Sequence, residues 1–536
     1  MTTSTDSSAD TRFPAAIRAL PTRTIALGTV GSLLILLSAF GAGGILVRDP
    51  VLSRGPLSWV RYGHGHLLAT GILYLGFGLI VWAWVRLGRH VLAGRVGGRA
   101  VAVASACWTV PLLFAPPLFT RDVYSYLAQG ALALGGHDPY EVGPIALSDP
   151  DIVQNVHEFW QTTPAPYGPL FVLLAKGVAA VAGNNMILGV VLMRLVLVLG
   201  LGLLVWALPQ LVRHLGGRVP VAMWLAVAGP MTVVHLVGGP HNDLLMVGLL
   251  AAGTALVLDR RHVAGVVLVS LAVAVKATAA LALPFLVWVW AGHLRSTPLR
   301  RFVRACATAV LTFVLTFAAT TLVAGVDVGW LGTLDSSSNI VNWLSLPTAV
   351  GEFVHTVVGI VVDGNKSWFV NIARAIGGLI FLVIAVRQWW RARDGGPDAV
   401  RRMALVLFAV AVLGPATLPW YLTWSFVVAA AMPWSREHLR IVVGVCVFLV
   451  LTYSPAGSDL LYVWPFMALA LAASVLAGIS LTRNDPLGLF SGPQELDASA
   501  EKPEKHPGKD SVEPPTEPAG NRAVQDPTVS SGYPEA

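Results

Sequence analysis

IALGTVGSLLILLSAFGAGGILV, residues Ile25–Val47, carries no charge and is long enough to cross a hydrocarbon core of about 30 Å as one helix. Long apolar runs recur at Met186–Leu208, which includes Arg194, and at Leu460–Leu481. Of 536 residues 55% are hydrophobic and only 12% charged, and the mean hydropathy is +0.68. A soluble chain carries roughly twice that charged fraction. These features predict an all-α integral membrane protein and exclude a soluble enzyme with a single anchor. The first apolar run is too long for a cleavable signal peptide, and no A-x-A site follows it.

The net charge is +7, yet the basic residues sit in short clusters between apolar runs, so they argue for membrane topology and against a nucleic-acid partner. Arg12, Arg18 and Arg23 set the N-terminus on the cytoplasmic side. Arg86, Arg89, Arg95 and Arg99, with no acid among them, do the same for the loop after the second span. The segment from Thr120 to Pro166 is then external, and its acids outnumber Arg121. Reading Leu170–Val181 as an interfacial or re-entrant helix keeps the later basic clusters inside. The chain then makes about fourteen spans with both termini cytoplasmic. The segment from Arg48 to His64 fits least well, being external despite three arginines. Composition predicts a cytoplasmic N-terminal tail over 1–24, a polytopic membrane domain over 25–483 and a disordered, Pro- and Glu-rich cytoplasmic tail over 484–536. Cys107, Cys306 and Cys446 all fall inside apolar runs and read as small core residues.

Sorted by side, the unusual polar residues gather outside. In TRDVYSYLAQG (Thr120–Gly130), helical spacing puts Asp122, Ser125, Tyr126 and Gln129 on one stripe, flanked by Arg121 and Tyr124. An aspartate there suits a base held near the bilayer surface; it equally suits a helix cap with a salt bridge. His137, Asp138 and Tyr140 follow shortly. In Gly238-Gly239-Pro240-His241-Asn242-Asp243, Pro240 falls where a helix starts. His241, Asn242 and Asp243 then ring a positive helix end that can face phosphate or sugar, or simply form a capped turn. Lys276 and Arg374 compete as the cation for a departing phosphate, although a lysine in an apolar run can also snorkel. Trp420 and Tyr421, packed between prolines, read as an aromatic belt or as a platform for sugar or lipid. No Walker loop, dinucleotide-binding fingerprint or H-E-x-x-H occurs, so the driving energy arrives in the substrate.

Arg121–Tyr126, His137–Tyr140, Tyr167-Gly168-Pro169-Leu170, Gly239–Asp243 and Trp420-Tyr421, in this order, resemble the actinobacterial polyprenol-phosphate-mannose-dependent α-1,6-mannosyltransferases of the C-type glycosyltransferase superfamily. The resemblance spans about Ile25 to Leu481 and implies a C-type glycosyltransferase-like helix bundle with a large first external catalytic loop region. It implies an external acidic residue as catalytic base, matched here by Asp122, in a multi-pass plasma-membrane enzyme. It further implies a polyprenyl-phosphate-mannose donor, a mannan glycolipid acceptor of the lipomannan or lipoarabinomannan type, inversion at the anomeric carbon, and a membrane-lipid setting. Many relatives carry a second acid near the first, whereas the neighbour of Asp122 is Arg121. No cofactor is called for, and a divalent metal is left open. Another lipid-phosphate-sugar transferase, for example an arabinosyltransferase, stays within the same pattern. A lipid-linked sugar flippase is the rival of another class, with Arg194 inside a span as its main support.

Overall fold

The α1–α2 hairpin starts the fold, because two glycines let its helices touch. α1 (Thr22–Ala42) and α2 (Gly63–Leu92) run antiparallel. A Cβ on Gly31 would lie 2.7 Å from the Gly76 carbonyl oxygen, and the converse holds at the same distance. Such small-residue crossings replace the hydrophobic drive that lipid removes. The computed structural model describes residues 20–50 and 52–483. The expected 484–536 tail, and the 1–24 tail up to residue 19, fall outside the described residues.

Among the described residues regular structure is helical, with a lone bridge between Tyr453 and Asp459. Numbering the helices of seven or more residues, α3 is Gly98–Leu112, α4 Asp122–Leu134, α5 Pro169–Ala182 and α6 Met186–Leu215. The bent α7 joins Val219–Ala226 to a π-helical Met231–Gly238. Then come α8 (Asp243–Leu258), α9 (His262–Val275), α10 (Leu283–His293), α11 (Pro298–Ala324), α12 (Leu346–Val358), α13 (Lys366–Arg391) and α14 (Gly396–Leu413). α15 (Thr423–Ala429), α16 (Arg436–Val450) and α17 (Trp464–Ser480) complete the order.

Five of these, α1, α2, α6, α11 and α13, are long and apolar enough to cross a membrane; α7 makes a sixth if its two parts, bent by 42°, form one span. α5, α8, α9 and α17 are apolar but of 10–17 residues, short of the ~20 that a straight crossing takes. The expected fourteen spans therefore exceed what length and composition give. The Leu170–Val181 stretch is the 14-residue α5, about 21 Å long at 1.5 Å per residue.

Burial sorts the helices into a centre and a rim. α8 is apolar on all sides and buried along nearly its whole length, as an interior helix should be. α11 and α13 each carry an apolar window of membrane length, yet only 6% and 11% of those windows are buried within the protein. Apolar surface on that scale calls for lipid or another apolar cover. Cys446 is buried and Cys107 and Cys306 half-buried, all as free thiols.

The hairpin contact can be tested directly. Gly76→Ala must part α1 from α2 and should cost about 1–3 kcal/mol, read as a lower melting temperature in detergent. Gly78→Ala, which meets nothing within 4 Å, should leave it unchanged.

Candidate active site

Three turns converge on one end of the bundle, and a buried arginine joins two of them. From α6, Arg194 donates to the carbonyls of Leu113 (3.1 Å), Ala115 and Pro116 (3.2 Å) after α3. On its other side it donates to Val237 (3.1 Å) and Gly238 (2.7 Å) at the end of α7. All five guanidinium N–H groups are thereby used. Leu118 N–H adds a bond to the Gly238 carbonyl at 3.1 Å, and Phe119 N–H reaches Pro455 in the third turn at 2.9 Å. Phe119 adopts φ +59°, rare for a side chain of its size. Gly457 (φ +96°) packs so closely on Thr120 that a Cβ would lie 3.0 Å from its Cα. The chain leaves this clamp as Thr120-Arg121-Asp122.

Asp122 opens α4, as the stripe predicts, and Thr120 Oγ1 accepts its backbone N–H at 3.0 Å. Its carboxylate keeps 18% exposure and lies 3.4 Å from Nδ1 of His241, which is fully buried. The imidazole stacks on Trp420, ring centroids 3.7 Å apart and planes 23° apart. Burial by itself raises the Asp122 carboxyl pKa. Hydrogen bonding and charge from His241, the charge of Lys276 and the Thr120 hydroxyl outweigh that, and hold it below the ordinary carboxylate value. Asp122 is therefore ionised at neutral pH.

A second carboxylate is fully occupied. Asp243, with no exposed surface, receives Lys276 Nζ at 2.9 and 3.0 Å and Trp424 Nε1 at 2.5 Å. The ammonium also lies over the rings of Tyr421 (4.6 Å) and Trp424 (5.3 Å), which stack 4.3 Å apart. Lys276 thus does not snorkel; it ends α9 and neutralises a buried acid. Pro240 lies outside α8, which starts at Asp243 with Asn242 as its N-cap, because the Gly238-Gly239 turn is held by the clamp before the helix begins. Beside this pair Tyr126, Tyr167 and Phe171 pack edge to face at 4.9–5.3 Å. Gly168 N–H bonds the Val275 carbonyl at 3.3 Å, tying the Tyr167 turn to the Lys276 turn. Ser125 Oγ, Gln129 Oε1 and both side-chain polar atoms of Asn242 are buried with no protein hydrogen-bond partner among the described residues.

Other expected site residues lie elsewhere. Arg121 donates to the Ile45 carbonyl (3.0 Å) and to Asn155 (3.2 and 3.4 Å), and packs on the Tyr124 ring. Tyr124 Oη donates to the Gly44 carbonyl at 2.7 Å, so both residues anchor the turn. His137 is exposed. Asp138 accepts the Tyr140 N–H at 2.8 Å, and Tyr140 packs in a separate small cluster with Trp330. Arg374 is engaged by Thr348 Oγ1 (3.0 Å) and the carbonyls of Ser338 (2.6 Å) and Ile340 (2.7 Å). Three site neighbours lay outside the predicted set. Trp424, one helical turn from Trp420, was within reach of spacing; Tyr453 and the buried His235, 5.8–6.0 Å from the Trp420 ring, had no local signal. Among the described residues, no three His, Cys, Asp or Glu side chains converge to hold a metal ion.

Known proteins give this helical chain its class, that of a glycosyltransferase. The family model "Alpha-(1->6)-mannopyranosyltransferase, N-terminal domain" matches residues 25–292, and "MptB C-terminal domain" matches 347–483. Alpha-(1->6)-mannopyranosyltransferase A of Mycobacterium tuberculosis is 41% identical over 462 residues, covering 85% of this chain and 89% of the relative. The protein of the same name from Corynebacterium glutamicum is 32% identical over 496 residues, covering 88% and 99%. No solved structure matches. The chain belongs to the alpha-(1->6)-mannopyranosyltransferase family.

The buried pair gives a clean test. Lys276→Met leaves Asp243 uncompensated and should cost about 3–5 kcal/mol. The double variant Lys276→Met/Asp243→Leu should recover part of that loss in thermal unfolding, as a double-mutant cycle requires.

Proposed function

We propose that this enzyme moves mannose from polyprenyl-phosphate-mannose to an α-1,6-mannan chain of a lipomannan- or lipoarabinomannan-type glycolipid, at the external face of the plasma membrane, with Asp122 as base. One contrast carries the reading. Of two acids at the site, Asp243 is consumed by Lys276 and Trp424, while Asp122 stays ionised and partly open. Asp122 takes the proton of the acceptor's 6-hydroxyl as that oxygen bonds the anomeric carbon from the face opposite the phosphate. The bond from that carbon to the phosphate oxygen breaks, so a β-linked donor gives an α-linked product. Phosphate leaves without protonation, so the second carboxylic acid of a glycosidase has no task here. The Lys276 ammonium, although paired with Asp243, still acts through its field at Asp122, and that field favours the phosphate as it departs. Trp420, Tyr421, Tyr126 and Tyr167 offer faces for sugar, and Ser125, Gln129 and Asn242 offer hydrogen bonds that the protein itself does not use.

In this reading the membrane domain spans 25–483 and forms a C-type glycosyltransferase bundle. About fourteen crossings then require helices shorter than ~20 residues to cross as well. Both matched family segments lie within those bounds. The flippase alternative leaned on Arg194, whose five donors are all spent on carbonyls.

Membranes containing the enzyme, given labelled polyprenyl-phosphate-mannose and a short α-1,6-mannan acceptor, should elongate it. Asp122→Asn and Asp122→Ala should lower the rate by roughly 10²–10⁴-fold; elongation at the wild-type rate in either variant removes Asp122 from the role. A donor that only changes leaflet, with no transfer, ends the enzyme reading.

The pH profile offers a second check. Asp122 has a depressed pKa, so its base form is present above that value and lost as pH falls through it. His241→Asn removes a main cause of the depression while burial remains, so the acid limb of kcat/KM should move to higher pH. A limb that stays in place contradicts the coupling.

A further inference from the structure

The end of α2 farthest from Asp122 holds an unusual density of cations. α2 passes Gly41 at Ala69, next to the Asp122 turn, and about 30 Å further on at 1.5 Å per residue it reaches Arg89. There a cavity of about 390 Å³ is lined by Arg86, Arg89, His90, Arg95, Arg436 and Thr482, with no carboxylate among its lining residues. Arg89 closes one wall by donating to the Ser480 carbonyl (2.6 Å) and the Arg483 carbonyl (2.7 Å). Arg86, Arg95 and Arg436 form no ion pair among the described residues. Guanidinium groups crowded into one concavity repel, and their planar forks match phosphate oxygens.

A second cavity lies nearby, on α16 and α17. Between α16 and α17 a groove of about 540 Å³ is lined by Ile441, Val445, Phe448, Leu471 and Val475, and begins at Glu437, Arg440 and Ile479. Arg440 is one turn of α16 beyond Arg436, and Ile479 is two residues before Leu481, which lines the basic cavity. Ile441, Leu471 and Val475 are each more than half exposed in the groove. A cationic cup beside an apolar groove of this kind fits one amphiphile: a charged phosphate head and an acyl chain.

We propose that these neighbouring cavities bind a phosphate-bearing anionic phospholipid, its headgroup among Arg86, Arg95 and Arg436 and one acyl chain between α16 and α17. The site is remote from Asp122 and independent of the transfer chemistry. Full-length protein in detergent would be titrated with dioleoyl phosphatidylglycerol, dioleoyl phosphatidylcholine or inorganic phosphate, and retained lipid counted by native mass spectrometry. Saturable phosphatidylglycerol binding is expected, about tenfold weaker for Arg86→Gln/Arg436→Gln and also weakened by Val475→Trp, which fills the groove. Equal retention of phosphatidylcholine, or no effect of the double variant, overturns the headgroup site. Competition by inorganic phosphate at the same concentrations means a soluble phosphate site and overturns the lipid assignment. Unchanged binding in Val475→Trp does the same. Elution volume and melting temperature report whether each variant folds; if the double variant does not, the groove variant and the phosphatidylcholine arm decide.

Discussion

A guanidinium inside a helical bundle is stable only when each of its N–H groups finds an acceptor, and Arg194 meets that condition with five backbone carbonyls from two separate turns. Those carbonyls stand at chain breaks, where helix hydrogen bonding has stopped and lipid offers no substitute. Cation and carbonyls solve each other's problem. The result is that residues 113–116 and 237–238, far apart in sequence, are held at fixed separation. Asp122 follows the first turn and His241 the second, so the 3.4 Å contact between carboxylate and imidazole inherits its geometry from Arg194.

Charge is then distributed by burial. Asp243 is fully enclosed, and an enclosed carboxylate needs a cation; Lys276 supplies it, with the Trp424 indole completing the shell. Asp122 keeps partial exposure and an imidazole partner. Two acids a few residues' reach from one lysine therefore take different parts: one sets structure and field, the other is left chemically available. The aromatic rings around them stiffen the site, since Trp420 fixes the imidazole plane while Tyr421 and Trp424 cover the ammonium.

The two ends of the bundle answer to different demands. Near Asp122, buried polar side chains lack protein partners and aromatic faces are concentrated. At the far end of α2, arginines crowd beside an apolar groove. The exposed apolar faces of α11 and α13 between them are explained by lipid as solvent, with no need of a protein partner.

The sequence by itself determined the class of protein: apolar runs of membrane length, arginine clusters between them, and the Asp122 stripe at helical spacing are local patterns, and the helix of Asp122–Leu134 carries that stripe where it was expected. The same patterns brought Asp122, His241, Asp243, Lys276, Trp420 and Tyr421 onto one list. Which of them act together was decided only by tertiary structure. Spacing cannot show that Lys276 is spent on Asp243, that Arg374 is engaged by the 338–348 segment, or that His137 to Tyr140 pack away from the site. Tyr453 and His235 join the site through long-range packing alone. A helical period extends over a few turns, but partnership between charges depends on distance and burial, and those are properties of the folded bundle.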